Sequence, residues 1–242
     1  MKKILVLMYG AVAYSIFLCT FLYAIGFTGN LLVPVTVSHA KTTSTLFAVF
    51  TDIVLLSIFA LQHSVMARPA FKRWWAQFVP HSMERSTYVL LASLALIVLF
   101  WQWHSIDIIV WSVETTWLNV AVQCCFFLGW GIVLLSTFMI NHFELFGLTQ
   151  VYQHFKNIRP GTPEFKTNWL YKLVRHPIML GFLIAFWSTP VMTVSHLVFT
   201  ITTTLYILIA VKFLEEKDLE RSIGRRYLVY KKKVPMLIPF TK

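Results

Sequence analysis

The sequence predicts an all-α polytopic membrane helical bundle of five to six transmembrane segments, followed by a C-terminal cytoplasmic helical tail. Three observations carry that expectation. Hydrophobic residues make up 57% of the chain and charged residues 13%, with a mean hydropathy of +0.68, whereas a soluble domain carries about 25% charged residues. Apolar runs recur at roughly 20 residues, enough to cross about 30 Å of hydrocarbon with every backbone polar group bonded inside the segment. Basic residues gather on one side of the resulting layout.

Four spans are clear on length, at about 4 to 26, 44 to 66, 86 to 103 and 118 to 141. The opening MKKILVLMYG has the charge of a secretory signal peptide. Its apolar run is too long for one, so it is read as the first span. From Ile178 to Val211 the chain is apolar but interrupted by Thr189, Pro190 and Ser195, which allows two short spans or a re-entrant hairpin. The chain is read as one membrane domain over 1–242, with a four-helix part over 1–141 and a second part over 142–242.

On this layout 20 of the 21 Lys and Arg fall on one side and only Lys41 opposite. Basic loops stay cytoplasmic, which predicts a multi-pass protein of the cytoplasmic (inner) membrane with both termini inside. The net charge of +11 then reflects topology and attraction to anionic headgroups. Nucleic acid is not an expected partner. Cys19, Cys124 and Cys125 lie in apolar runs without a C-x-x-C spacing, so packing is expected of them and no metal site. No Gly-rich phosphate loop is present, which speaks against a Rossmann-type enzyme.

Ionisable residues converge on the cytoplasmic layer from four segments. The second span ends ALQHSVMARPAFKRWW with His63, and the fourth ends STFMINHFELFGL with Asn141, His142 and Glu144. Arg175 and His176 open the next apolar run, and Glu215, Glu216 and Asp218 close the last. The opposite side offers few, among them Lys41, His104, Asp107 and Glu114 in short loops. Pro177 suits the first turn of a helix, and the N–H groups of a helix start favour an anion such as a carboxylate. Gly181, one turn on, permits close approach to the backbone, by a ligand or by a neighbouring helix. Glu215 and Glu216 offer acidic partners for an ammonium. A ligand carrying both groups is an amino acid or S-adenosylmethionine.

R-H-P-x-x-x-G followed by E-E-x-x-L-x-x-x-x-G-x-x-Y-x-x-Y-x-x-x-V-P-x-x-x-P resembles the integral-membrane methyltransferases of the isoprenylcysteine carboxyl methyltransferase type. The matching residues run from Arg175, His176, Pro177 and Gly181 through Glu215, Glu216, Leu219, Gly224, Tyr227 and Tyr230 to Val234, Pro235 and Pro239. LQHSVMARPAFK, NHFELFGL and RHPIMLGF together are similar to the bacterial methanethiol S-methyltransferase branch, relatives of the NnrU-like membrane proteins. The resemblance implies S-adenosyl-L-methionine as cofactor, held by Arg175, His176, Gly181, Glu215, Glu216, Tyr227 and Tyr230 in a methyltransferase core over 142–242. It implies methanethiol, a small volatile thiol, as substrate and dimethyl sulfide as product. Met179 stands where the wider family usually has tyrosine, which makes a prenylated substrate doubtful.

The chemistry can be argued separately. Transfer from a sulfonium to sulfur is an in-line displacement that needs alignment, and the thiolate is the nucleophile. A thiol with a pKa of about 8.5 is mostly protonated near neutral pH, so a histidine is the natural proton acceptor. His63 and His142 are the candidates, with Arg175 as a source of electrostatic stabilisation. Asp52 shares a helix face with His63 but sits about 16 Å along the axis, so it would orient a histidine on another helix. Other readings are methylation of a phospholipid or isoprenylcysteine and, from a different class, haem binding through histidines on separate spans.

Overall fold

The structure is a computed structural model and describes residues 1–159, 161, 165 and 167–241. Lys166 and Lys242, two of the basic residues used to orient the chain, lie outside the described residues. In chain order, α1 (Lys2–Gly29), α2 (Thr45–Ala67), α3 (Pro69–Trp75) and α4 (His81–Gln102) precede α5 (Thr116–Ile140). Next come α6 (His142–Leu145), α7 (Leu148–Lys156), α8 (Leu170–Leu173), α9 (Pro177–Trp187) and α10 (Val194–Ala210). A π-helical turn, Val211–Glu215, joins α10 to α11 (Glu216–Ile223), and α12 (Arg225–Lys233) follows.

Five helical segments are long and apolar enough to cross a membrane: α1, α2, α4, α5 and the continuous stretch Val194–Ile223. Only 17% to 28% of their most apolar windows is buried within the protein, so most of their apolar surface is left for lipid, the one solvent that does not penalise it. This is the expected polytopic helical bundle. The stretch read as two short spans or a hairpin is a short helix followed by a long one. At 11 residues, α9 extends about 16 Å, roughly half the hydrocarbon thickness.

The chain divides into two compact units, Met1–Ser105 with Asn141–Pro163, and Ile106–Ile140 with Glu164–Lys242. In the first, α1 packs along α4 and α7, and α4 also packs on α2. Arg68 is extended, at φ −74° and ψ 141°, because the residue before a proline is driven out of the helical region. Pro69 then starts α3, so the R-P pair turns the chain from a span into a short helix bearing Lys72 and Arg73. A two-residue parallel pairing, Lys41–Thr42 (β1) with His104–Ser105 (β2), ties the far ends together.

In the second unit the main packing is α5 on α9, with an antiparallel pair, Ile109–Ser112 (β3) and Val191–Thr193 (β4), beyond the end of α9. Gly129 and Gly181 meet at the helix crossing: a Cβ on Gly181 would lie 2.7 Å from the Gly129 carbonyl oxygen, and one on Gly129 2.6 Å from the Ala185 nitrogen. Gly181→Val is therefore expected to cost about 1–3 kcal/mol or more by overpacking and to lower the unfolding midpoint of the solubilised protein. Gly131→Val on the same helix, where no atom lies within 4 Å of a built Cβ, should leave it in place. A matching loss in both would refute the crossing as the cause. The three cysteines are free and exposed on their helices, so the packing expected of them is not their environment.

Candidate active site

In the second unit the two halves of the C-terminal motif meet. His176 precedes α9 with Pro177 in its first turn, and the backbone N–H groups of Arg175 and His176 donate to the carbonyls of Pro235 and Met236 at 2.8 and 3.2 Å. The strap after α12 is thus pinned across the start of α9, and Leu237 inserts beside Ile207 and Val211. Met179 and Phe182 pack on that cluster, so Met179 makes an apolar contact where the wider family usually has a phenol.

Glu216 is the hub, and it is 2% exposed. Arg175 donates to both of its oxygens, from Nε at 2.7 Å and Nη2 at 3.1 Å. His176 Nε2 lies 2.9 Å from Oε1, the Tyr227 hydroxyl donates to the same oxygen at 2.8 Å, and Lys231 Nζ lies 2.8 Å from Oε2. Arg175 Nη1 donates to the carbonyls of Lys231 and Val234. The bidentate pair and the surrounding donors compensate the carboxylate for the water it has lost. Glu215 is different: its side chain is 44% exposed, and one carboxylate oxygen lies 3.5 Å from His176 Nδ1. Tyr230 turns away and donates to the Tyr171 carbonyl at 2.6 Å.

This arrangement charges His176. Burial by itself lowers its pKa, but its hydrogen bonds to Glu215 and Glu216 outweigh burial and push it up to about 9. Burial and the Glu216 hydrogen bond both push the Tyr227 phenol up, so it remains a donor. A raised histidine pKa means that the folded form holds its proton more tightly than the unfolded chain. The stabilisation is complete below the usual value of 6.5 and drains away as pH rises through about 9. Hydrogen exchange of α12 should accordingly quicken, beyond its intrinsic pH dependence, between those values in the parent protein and not in His176→Asn. A parent profile flat over that window would contradict a charged His176.

In the first unit each candidate histidine meets a tyrosine. His63 on α2 has the Tyr88 hydroxyl 2.9 Å from Nε2, and Arg85 lies 5.4 Å over the Tyr88 ring. His142, 5% exposed, has the Tyr14 hydroxyl 2.8 Å from Nε2, and burial lowers its pKa, which favours the neutral, proton-accepting form. Asn141 caps α6 by accepting from the Glu144 backbone N–H, and its amide donates to the Glu144 side chain at 2.7 Å. Asp52 lies near the start of α2, away from His63, and its Oδ1 accepts from the His104 backbone N–H at 3.1 Å. The end of the first unit that carries His104 therefore holds a buried carboxylate beside an imidazole, 3.7 Å apart.

Sequence reasoning missed Tyr14, Tyr88, Arg85 and Lys231. Tyr14 and Tyr88 sit inside apolar runs where nothing in the spacing marks them, and Lys231 is one of three consecutive lysines. The one available signal was the phenol itself, since a buried tyrosine hydroxyl usually has a partner.

The chain is 54% identical over 241 residues to the methanethiol S-methyltransferase of Mycobacterium tuberculosis, covering 99% of this chain and 98% of that protein. It is 51% identical to methanethiol S-methyltransferase 1 of Bradyrhizobium diazoefficiens, over 99% of this chain and 84% of that one. More distantly, it is 29% identical to the mouse protein Nurim over 69% of this chain and 66% of that one. No family model and no solved structure matches the chain.

Proposed function

This chain belongs to the methanethiol S-methyltransferase family, and from that premise we propose that it methylates methanethiol to dimethyl sulfide, using S-adenosyl-L-methionine at the cytoplasmic face of the inner membrane. The observation that carries the cofactor assignment is the cluster around Glu216. It sets an exposed carboxylate, Glu215, beside a charged imidazole, His176, at the start of a helix. That donor set fits a group with one ammonium and one carboxylate.

In this reading S-adenosyl-L-methionine supplies a methyl group on a positively charged sulfur. Glu215 takes the ammonium, while His176 and the free N–H groups at the start of α9 favour the carboxylate. Glu216 has its lone pairs committed to Arg175, His176, Tyr227 and Lys231. It acts by holding Arg175 and His176 in place, and Tyr227 and Tyr230 act by fixing α12. Gly181 contributes by letting α9 approach α5. The thiol loses its proton to a histidine, His63 or His142. Asp52 has its own partner in His104 and is assigned to holding that end of the first unit.

The test is to incubate purified protein with S-adenosylmethionine and a panel of thiols, phospholipids and isoprenylcysteines, then to identify the methylated product. Dimethyl sulfide from methanethiol is expected, and a lipid product alone would overturn the substrate. The basic asymmetry supports cytoplasmic termini. A C-terminal alkaline phosphatase fusion should therefore be inactive, and an active one would reverse the topology.

A further inference from the structure

In the second unit α12 presents two faces of different chemistry. Tyr227 and Lys231 point inward and bond Glu216, and Tyr230 bonds the Tyr171 carbonyl. At about 100° per residue, the opposite face carries Arg225, Leu228, Val229 and Lys232, spaced as i, i+3, i+4 and i+7. Leu228 and Val229 are 46% and 48% exposed, and the exposed Arg226 and Lys233 flank them. Residues 225 to 240 hold five basic residues and no acidic one. Lys231 is paired with Glu216 and Glu220. Among the described residues Arg225, Arg226, Lys232 and Lys233 make no ion pair.

Uncompensated cations around an exposed apolar pair call for a partner that is negatively charged on its surface and apolar beneath. The position of this face says which. Just beyond α12, Leu237 inserts beside Ile207 and Val211, residues of the span Val194–Ile223, so the tail returns to the flank of the span instead of running off into solvent. Ile238 and Phe240, next to Leu237, are exposed as well. A helix with apolar residues rimmed by Arg and Lys, at the edge of a bilayer, settles at headgroup depth, where anionic lipids attract its cations. We propose that the outer face of α12 docks on anionic phospholipid and by doing so keeps the Glu216 cluster closed. The inner and outer faces belong to one short helix. Lipid that favours the seated helix therefore favours the arrangement of Arg175, His176 and Glu216 with it. The docking stands on the geometry of α12, and its effect on cofactor affinity rests on the reading of that cluster as the S-adenosyl-L-methionine site.

The experiment places the full chain in lipid nanodiscs of phosphatidylcholine, alone or mixed with phosphatidylglycerol. A nitroxide is attached at Val229→Cys in a background of Cys19→Ala, Cys124→Ala and Cys125→Ala, and its collisions with lipid-soluble oxygen and with a water-soluble nickel chelate are compared. With phosphatidylglycerol the label is expected to favour oxygen, and high salt should weaken that preference. S-adenosylhomocysteine should bind at least about threefold tighter in those discs than in phosphatidylcholine alone. The combined variant Arg225→Gln, Arg226→Gln, Lys232→Gln and Lys233→Gln should lose both differences. In detergent it should bind S-adenosylhomocysteine as the parent does, which also shows that it is folded. A label equally open to the chelate in both discs would overturn the docking. So would a label shielded already in detergent in proportion to protein concentration, which gives the face to a second copy. Docking without any change in affinity would overturn the coupling. If the label enters lipid but neither disc binds S-adenosylhomocysteine, the surface stands and the cofactor reading falls.

Discussion

Glu216→Gln is expected to unseat the C-terminal tail and abolish cofactor binding. The amide keeps the shape but replaces an acceptor-only group by one half donor, leaving Arg175 as a half-buried cation without its anion, while His176 keeps only Glu215 and Lys231 only Glu220. Removing one member of a buried charge cluster costs about 3–5 kcal/mol, close to the entire margin of many domains. Two readouts separate the consequences. Limited proteolysis should cut between Gly224 and Val234 in the variant and not in the parent. Calorimetry with S-adenosylhomocysteine should show binding weakened by a factor of at least about 100. Lys232→Gln, an exposed lysine beside Lys231, should change neither. Normal proteolysis with lost binding would assign Glu216 to direct ligand contact, and no change in either would remove the cluster from the site.

The second large effect concerns the proton. His63→Ala or His142→Ala is expected to lower kcat by roughly 10²- to 10⁴-fold, the range for general acid–base catalysis, while leaving cofactor affinity intact. Raising the pH should partly rescue the variant by supplying thiolate from solution, and the parent should reach its plateau earlier. The companions Tyr14→Phe and Tyr88→Phe remove the hydroxyl facing each imidazole and should shift the pH profile of the enzyme that uses that histidine. A folded double variant, His63→Ala with His142→Ala, that keeps full turnover near neutral pH would exclude both.

The spans were legible because the bilayer imposes a length and a composition that a window of sequence records directly. The α2–α3 corner, which Pro69 imposes, and the break at Gly224, whose φ of +67° suits a residue without Cβ, are equally local. The C-terminal site was legible as a pattern of residues and not as a set of bonds. Spacing located Arg175, His176 and Glu216 but gave no sign that Glu216 is saturated by internal donors and that Glu215 is the exposed carboxylate. Such facts depend on which residues from distant stretches converge, and Lys231 is distinguished from Lys232 only by where α12 turns it. Asp52 shows the same limit: the helical period placed it on the His63 face, but its partner came from beyond the end of α4.

The π-helical turn between α10 and α11 has a further consequence for how this chain can vary. Such a turn is an α-helix carrying one surplus residue, and each residue of an α-helix advances the phase by about 100°. The surplus at Val211–Glu215 therefore sets the angular position at which Glu216 leaves the membrane-spanning helix. Deleting any one residue there would let the helix close into regular form, a local gain in hydrogen bonding, yet would swing the Glu216 carboxylate about 100° off Arg175. Between Ala210 and Glu216, then, the number of residues constrains the chain as tightly as their identity. An indel would be as damaging as the loss of the glutamate, even though every motif residue would still be present.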